Sequence, residues 1–203
     1  MLVVVGGHSR NIGKTSVAAG IIAALPEVHW TAVKITQHGH GICSPAGTPC
    51  DCAVEYSHPF ALDEEKQPGG TDSGRFLAAG AKRAYWLRTP SAQLGHAIPS
   101  LRKIIESSPN TIIESNSVLQ FLRPDLYIVV ADYTIADRKE SSWLYMDRAD
   151  AFVEIQRGAG PPPPPWPDVP HKWLDGKPRF RVIPPDYVPL ELADFVRQRL
   201  TAH

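Results

Sequence analysis

Near the N-terminus, Gly6, Gly7, His8, Ser9, Arg10, Asn11, Ile12, Gly13, Lys14, Thr15 and Ser16 follow one another. Successive backbone N–H groups in a glycine-bounded loop, and the first turn of a helix behind it, aim positive partial charge at one point and so bind an anion. In such a loop a lysine at position 14 reaches the β- and γ-phosphates of a nucleotide, and the hydroxyl of Thr15 ligates Mg²⁺. The common form has four residues between its glycines. Here Gly7 and Gly13 enclose five, so the loop is a variant one residue longer.

Other residues carry chemistry that would complete such a site. Glu114 ends the apolar run Thr111-Ile112-Ile113, where an acid holds Mg²⁺ directly or through water opposite the loop threonine. Asp132, at the tip of the next apolar run, is a second candidate for that task. Lys34 ends the second apolar run, and Arg75 opens a helical stretch; either cation suits a phosphate or an anionic substrate. Asp137, Arg138 and Lys139 form a charged run with no role beyond anion contact. All three cysteines, Cys43, Cys50 and Cys52, fall within ten residues, with His38 and His40 before them and His58 after. Thiolates and imidazoles on a Gly/Pro-rich loop are the donors of a tetrahedral Zn²⁺ site, and the same donors hold an Fe–S cluster.

The elements that must position these groups follow from the apolar pattern. Strands are expected at residues 3–5, 30–36, 83–88, 111–115, 126–131, 151–155 and 179–183. Helices are expected at 17–25, 72–81 with Asp72 as N-cap and Gly80 near the stop, 93–107 with Pro99 as a kink, and 190–200. Strands alternating with helices require a mainly parallel sheet with helices on both faces, binding ligands at the carboxyl ends of its strands. Residues 37–71 read as a long Cys/His-rich loop insertion, and 159–170 as a proline-rich loop, a solvent-exposed lid or linker.

The 203 residues fit one α/β domain. Twenty-one basic side chains balance 21 acidic ones, so bulk electrostatics point to neither nucleic acid nor membrane as a partner. No apolar run reaches the ~18 residues of a membrane span. The N-terminus lacks the basic region of a signal peptide. A cytoplasmic location without disulfides is the expectation.

With these pieces placed, the chain resembles the MobB family, the molybdopterin-guanine dinucleotide biosynthesis adaptors, which are P-loop GTP-binding proteins. Four segments carry the resemblance: the Gly-Lys-Thr-Ser loop; Val33-Lys34 followed by His38 and His40; Asp72-Ser73-Gly74-Arg75-Phe76-Leu77-Ala78-Ala79-Gly80-Ala81; and Ile112-Ile113-Glu114. It spans roughly residues 1–135. It implies a P-loop NTPase fold, phosphate and Mg²⁺ on Lys14 and Thr15, and Glu114 as the strand-end acid. It also implies a slow switch using GTP or ATP in molybdenum-cofactor or other metal-cofactor assembly, with another assembly protein as partner and a homodimer as one arrangement. The related dethiobiotin synthetase branch has a similar five-residue loop and a lysine like Lys34. That likeness implies the alternative of an ATP-dependent small-molecule ligase or kinase, with Lys34 and Arg75 on an anionic substrate. A third reading, from the cysteines alone, is a metallochaperone module gated by nucleotide. The chain departs from the adaptors in having Ser115-Asn116-Ser117 where a glycine follows their acid. Its cysteine cluster and C-terminal quarter have no counterpart there, and it has no clear Asn-Lys-x-Asp guanine-reading motif.

Overall fold

The computed structural model describes residues 1–38, 59–137, 140–158, 160–161 and 163–201. Its elements in chain order are β1 (Leu2–Gly7), α1 (Lys14–Ala24), β2 (Thr31–His38), β3 (Ala61–Glu64), α2 (Asp72–Ala78), β4 (Arg83–Pro90), α3 (Ile98–Glu106), β5 (Thr111–Glu114), β6 (Leu126–Ala131), α4 (Glu140–Trp143), β7 (Ala151–Ile155), β8 (Arg179–Val182) and α5 (Leu190–Thr201).

All residues of β1 are buried, as are all of β5 and β6. Strands apolar on both faces belong inside a parallel sheet covered on both sides. The eight strands run in the order β3-β4-β2-β5-β1-β6-β7-β8. Neighbours are parallel throughout except β3, which runs antiparallel to β4. The chain builds one side of the sheet from β2 to β5, then crosses β1 to build the other from β6 to β8. Strand order therefore reverses at β1, and the crevice such a reversal opens lies at the carboxyl end of β1.

The pleat sends alternate residues of β1 to opposite layers. Val3 and Val5 join Val17, Ile21 and Ile22 of α1, Phe76 of α2 and Val196 of α5. Leu2 and Val4 join Leu94 and the α3 residues Ile98, Leu101 and Ile104. A central strand feeding a glycine loop and a helix, with an acid-bearing strand alongside, is the α/β architecture of P-loop NTPases, as expected.

Four features differ from the expectation. The stretch 37–71 is not all connection, because β2 continues to His38 and β3 lies within it. A four-residue Ala-Leu-Asp-Glu strand has too little apolar pattern to stand out. It is held at the sheet edge by ion pairs of Asp63 with Arg88 and Glu64 with Arg83. Thr71, not Asp72, is the N-cap of α2: its extended backbone lets Oγ1 accept the Gly74 N–H at 2.9 Å. Pro99 does not kink a helix, because α3 begins at Ile98 after a 3₁₀ turn over Leu94–Ala97, and a proline in the first turn forfeits no hydrogen bond. The proline-rich segment runs as a loop with Pro161, Pro164 and Pro167 exposed, as expected, but it is anchored to the core rather than free. Its Trp166, with Val169 and then Leu174, is buried in the α3-side core, where it takes the place of a covering helix over β6 and β7.

No described helix is long and apolar enough to cross a membrane.

Candidate functional site

The residues after β1 make a tight loop that enters α1 through Gly13, whose φ of 96° is the left-handed conformation glycine adopts without strain. A cleft of about 930 Å³ opens over this loop. Its walls include Arg10, Asn11, Gly13, Lys14, Thr15 and Ser16 from the loop and α1, Lys34 to His38 from β2, Asp72 and Arg75 from α2, and Glu114 to Ser117 after β5. Residues 34, 75 and 114 are thus brought to the same opening as the Gly-Lys-Thr-Ser sequence, although they lie far apart in the chain.

The order β2-β5-β1 sets the geometry at its floor. Lys34 and Glu114 are direct register partners on adjacent strands, so their side chains leave the sheet together. Glu114 is buried, and its two oxygens have separate partners. The Thr15 hydroxyl donates to Oε2 at 2.7 Å, and the Lys34 ammonium donates to Oε1 at 2.6 Å. Lys34 also lies 3.3 Å from Thr15 Oγ1 and 2.9 Å from Asp72 Oδ2. Arg75 donates to Ser16 Oγ at 2.9 Å and faces Asp72 at 3.8 Å. The Lys14 ammonium folds back onto the Ser9 carbonyl, within its own loop.

Two hard oxygens, one a carboxylate, converge here on a position already populated by a positive charge. That donor set fits Mg²⁺, which prefers one or two carboxylate or hydroxyl ligands beside phosphate and water. Thr15 and Glu114 would hold the ion, and the ion would neutralise phosphate charge.

The remaining loop residues lie behind the cleft. Ile12 and His8 are fully buried. The His8 ring packs against Trp166, with centroids 4.5 Å apart and planes tilted by 56°, and its Nδ1 accepts the Asp132 N–H at 3.4 Å. Ser9 donates to Asp137 at 3.0 Å. Asp132 is no Mg²⁺ ligand candidate in this geometry: its carboxylate is wholly buried and takes hydrogen bonds from Arg157 and Thr134. Burial alone would raise its pKa. The Thr134 and Arg157 hydrogen bonds outweigh that and hold it below the usual carboxylate range.

Of the metal-loop candidates, His38 is buried at the end of β2 and lines the cleft. His40, Cys43, Cys50, Cys52 and His58 lie outside the described residues, as do Arg138 and Lys139. Among the described residues no group of three or more His, Cys, Asp or Glu is placed to hold a metal.

Sequence reasoning missed Asn116 and Tyr187 as parts of the site. Asn116 acts as a two-pronged clamp on the glycine loop. Its Oδ1 accepts the Gly7 N–H at 2.8 Å, and its Nδ2 donates to the Gly7 carbonyl at 2.7 Å. Tyr127 adds a bond to the same Oδ1 at 3.3 Å. A Cβ on Gly6 would stand 2.1 Å from that oxygen, so Gly6 is a glycine because of this close approach. Tyr187, from the segment before α5, lies over Gly13, where an added Cβ would meet its ring at 2.6 Å. Neither residue has a local signal, since each is defined by a contact more than 100 positions away in the chain. Asn116→Ala leaves two buried backbone groups of Gly7 without partners, and urea denaturation is expected to show a loss of about 1–3 kcal/mol. An unchanged midpoint would mean that the clamp contributes nothing to the fold.

The chain matches no protein-family model, and no curated protein matches it. Among solved structures it is similar to the "apo" form of LpxK from Aquifex aeolicus in complex with ATP, with 17% sequence identity and a TM-score of 0.48. The match covers 89% of this chain and 53% of LpxK, so the chain spans about half the length of that protein.

Proposed function

We propose that the chain binds a nucleoside triphosphate with Mg²⁺ and serves as a slow, nucleotide-dependent switch of the MobB type in molybdenum-cofactor or other metal-cofactor assembly. The observation that carries the nucleotide reading is the Thr15–Glu114 pair, 2.7 Å apart, beside a glycine loop at the reversal point of a parallel sheet. On binding, Lys14 exchanges the Ser9 carbonyl for the β- and γ-phosphates, while Thr15 and Glu114 hold Mg²⁺. The carboxylates lining the cleft among the described residues, Asp72 and Glu114, are both paired with Lys34. That arrangement offers no ready base for water and fits slow hydrolysis. The MobB assignment is supported by the sequence motifs that contribute Lys34, Asp72, Arg75 and Glu114 to one cleft. GTP and ATP both remain as ligands, with another assembly protein as partner and a homodimer as the proposed arrangement.

A second reading, an ATP-dependent ligase or kinase like dethiobiotin synthetase, is favoured by the cleft continuing past Lys34 along Thr36, Gln37 and His38. That extension offers room for a small anionic substrate. The Zn²⁺ or Fe–S reading of His38, His40, Cys43, Cys50, Cys52 and His58, with a metallochaperone role, rests on composition.

Three measurements separate these. Lys14→Ala is expected to weaken binding of fluorescent GTP and ATP analogues about 10- to 100-fold; unchanged affinity for both would sink the nucleotide reading. Under the ligase reading, a carboxylate or amine substrate stimulates ATP hydrolysis, and Lys34→Ala removes the stimulation. Basal turnover across a broad substrate screen argues for the switch instead. Protein purified without oxygen is expected to carry metal that Cys50→Ser loses while nucleotide binding persists. Equal metal content in the two would eliminate a site built on Cys50.

A further inference from the structure

Lys34 belongs to β2, separated from the glycine-loop strand by β5, yet its ammonium reaches the Thr15 hydroxyl and the Glu114 carboxylate. These are the two groups assigned to the divalent cation. With Asp72 Oδ2 as the third neighbour, the three N–H donors of the ammonium face three oxygens, at 2.6, 2.9 and 3.3 Å.

The exposures of these groups differ in a telling way. Glu114 is 3% exposed, Lys34 16% and Asp72 47%. A buried carboxylate is costly unless a positive charge lies against it. Among the described residues, the ion pair of Glu114 is with Lys34. Asp72 is solvated and needs no such partner, and it is held in place from its other side by Arg75. One ammonium thus bridges a carboxylate that requires it and a second that merely receives it.

We propose that the Lys34 ammonium is the resident cation of the nucleotide-free site, standing in for Mg²⁺, and that Asp72 is the position to which it withdraws when Mg²⁺ arrives. The exchange keeps charge balanced at every stage. Glu114 passes from the ammonium to the metal, and Lys34 retains Asp72 at the mouth of the cleft. Thr71 makes this possible by capping α2 itself, which leaves the Asp72 carboxylate unspent on the helix end.

Two consequences follow. Free divalent metal binds poorly, because it must evict an ammonium with no new negative charge to hold it. Nucleotide without metal still meets a cation beside Glu114, so its binding depends only weakly on Mg²⁺.

This inference rests on the Mg²⁺–nucleotide reading of the cleft, and the test is chosen to separate the two. Mn²⁺ is titrated into the protein without nucleotide and free ion is followed by electron paramagnetic resonance. Wild type and Lys34→Arg are expected to bind weakly. Lys34→Gln is expected to bind at least about tenfold more tightly, and the gain should vanish in the Lys34→Gln, Glu114→Gln double variant. Equal Mn²⁺ affinity in wild type and a folded Lys34→Gln would overturn the proposal. Should Lys34→Gln fail to fold, the wild type decides. Its nucleotide affinity in EDTA should stay within about tenfold of that in Mg²⁺, and a drop beyond about a hundredfold would overturn the proposal. Wild-type protein that binds nucleotide in neither condition sinks the nucleotide reading, and the Mn²⁺ titration still decides the role of Lys34.

Discussion

An ionised carboxylate buried in a parallel sheet dictates much of the arrangement around it. Removing Glu114 from water costs several kcal/mol unless charge and hydrogen bonds compensate. Compensation comes from both sides of β5: Thr15 from the helix that follows β1, and Lys34 from β2. The sequence of strands β2-β5-β1 is what brings those two groups to one acid. A different strand order would leave the buried carboxylate without the ammonium beside it.

The surroundings are built for close approach. Asn116 grips both polar groups of Gly7, and the absent side chain of Gly6 makes room for it. Across the cleft, α2 presses on its own entry loop so tightly that a Cβ on Gly74 would lie 2.1 Å from the Gly69 carbonyl oxygen. The third support is aromatic, with His8 on Trp166 and Trp166 edge-on to Tyr133 at 4.7 Å. Rigid support of this kind holds a binding constellation in place before any ligand arrives.

Much of the fold could be read from local pattern, because β1 and β6 are unbroken apolar runs, β7 is apolar but for Glu154, α1 is apolar nearly all round and α5 has an apolar face. Their bounds shift by only a few residues. The glycine loop and Glu114 were equally legible, since a glycine-bounded strand-to-helix loop and a strand-end acid are defined by sequence neighbours. What escaped were features fixed by tertiary contact. The β3 strand exists because β4 offers an edge and opposite charges. Thr71 rather than Asp72 caps α2 because the chain enters extended at residue 71. The Trp166 segment read as wholly solvent-facing because prolines suppress every periodic signal, yet the Trp166 indole and Val169 anchor it to the core while Pro161, Pro164 and Pro167 stay exposed. Asn116 was visible only as a departure from the adaptor pattern, and its meaning required the strand register that sets it beside Gly7.

The placement of β1 also bears on how the chain is made. The glycine loop leaves the ribosome about 100 residues before Glu114 and Asn116, which hold it. At common synthesis rates the loop waits about 5–20 s for its partners. During that interval β1, apolar on both faces, has neither sheet neighbour. The nascent chain therefore passes through a stage in which a strand apolar on both faces is complete but unpaired, a period suited to chaperone capture.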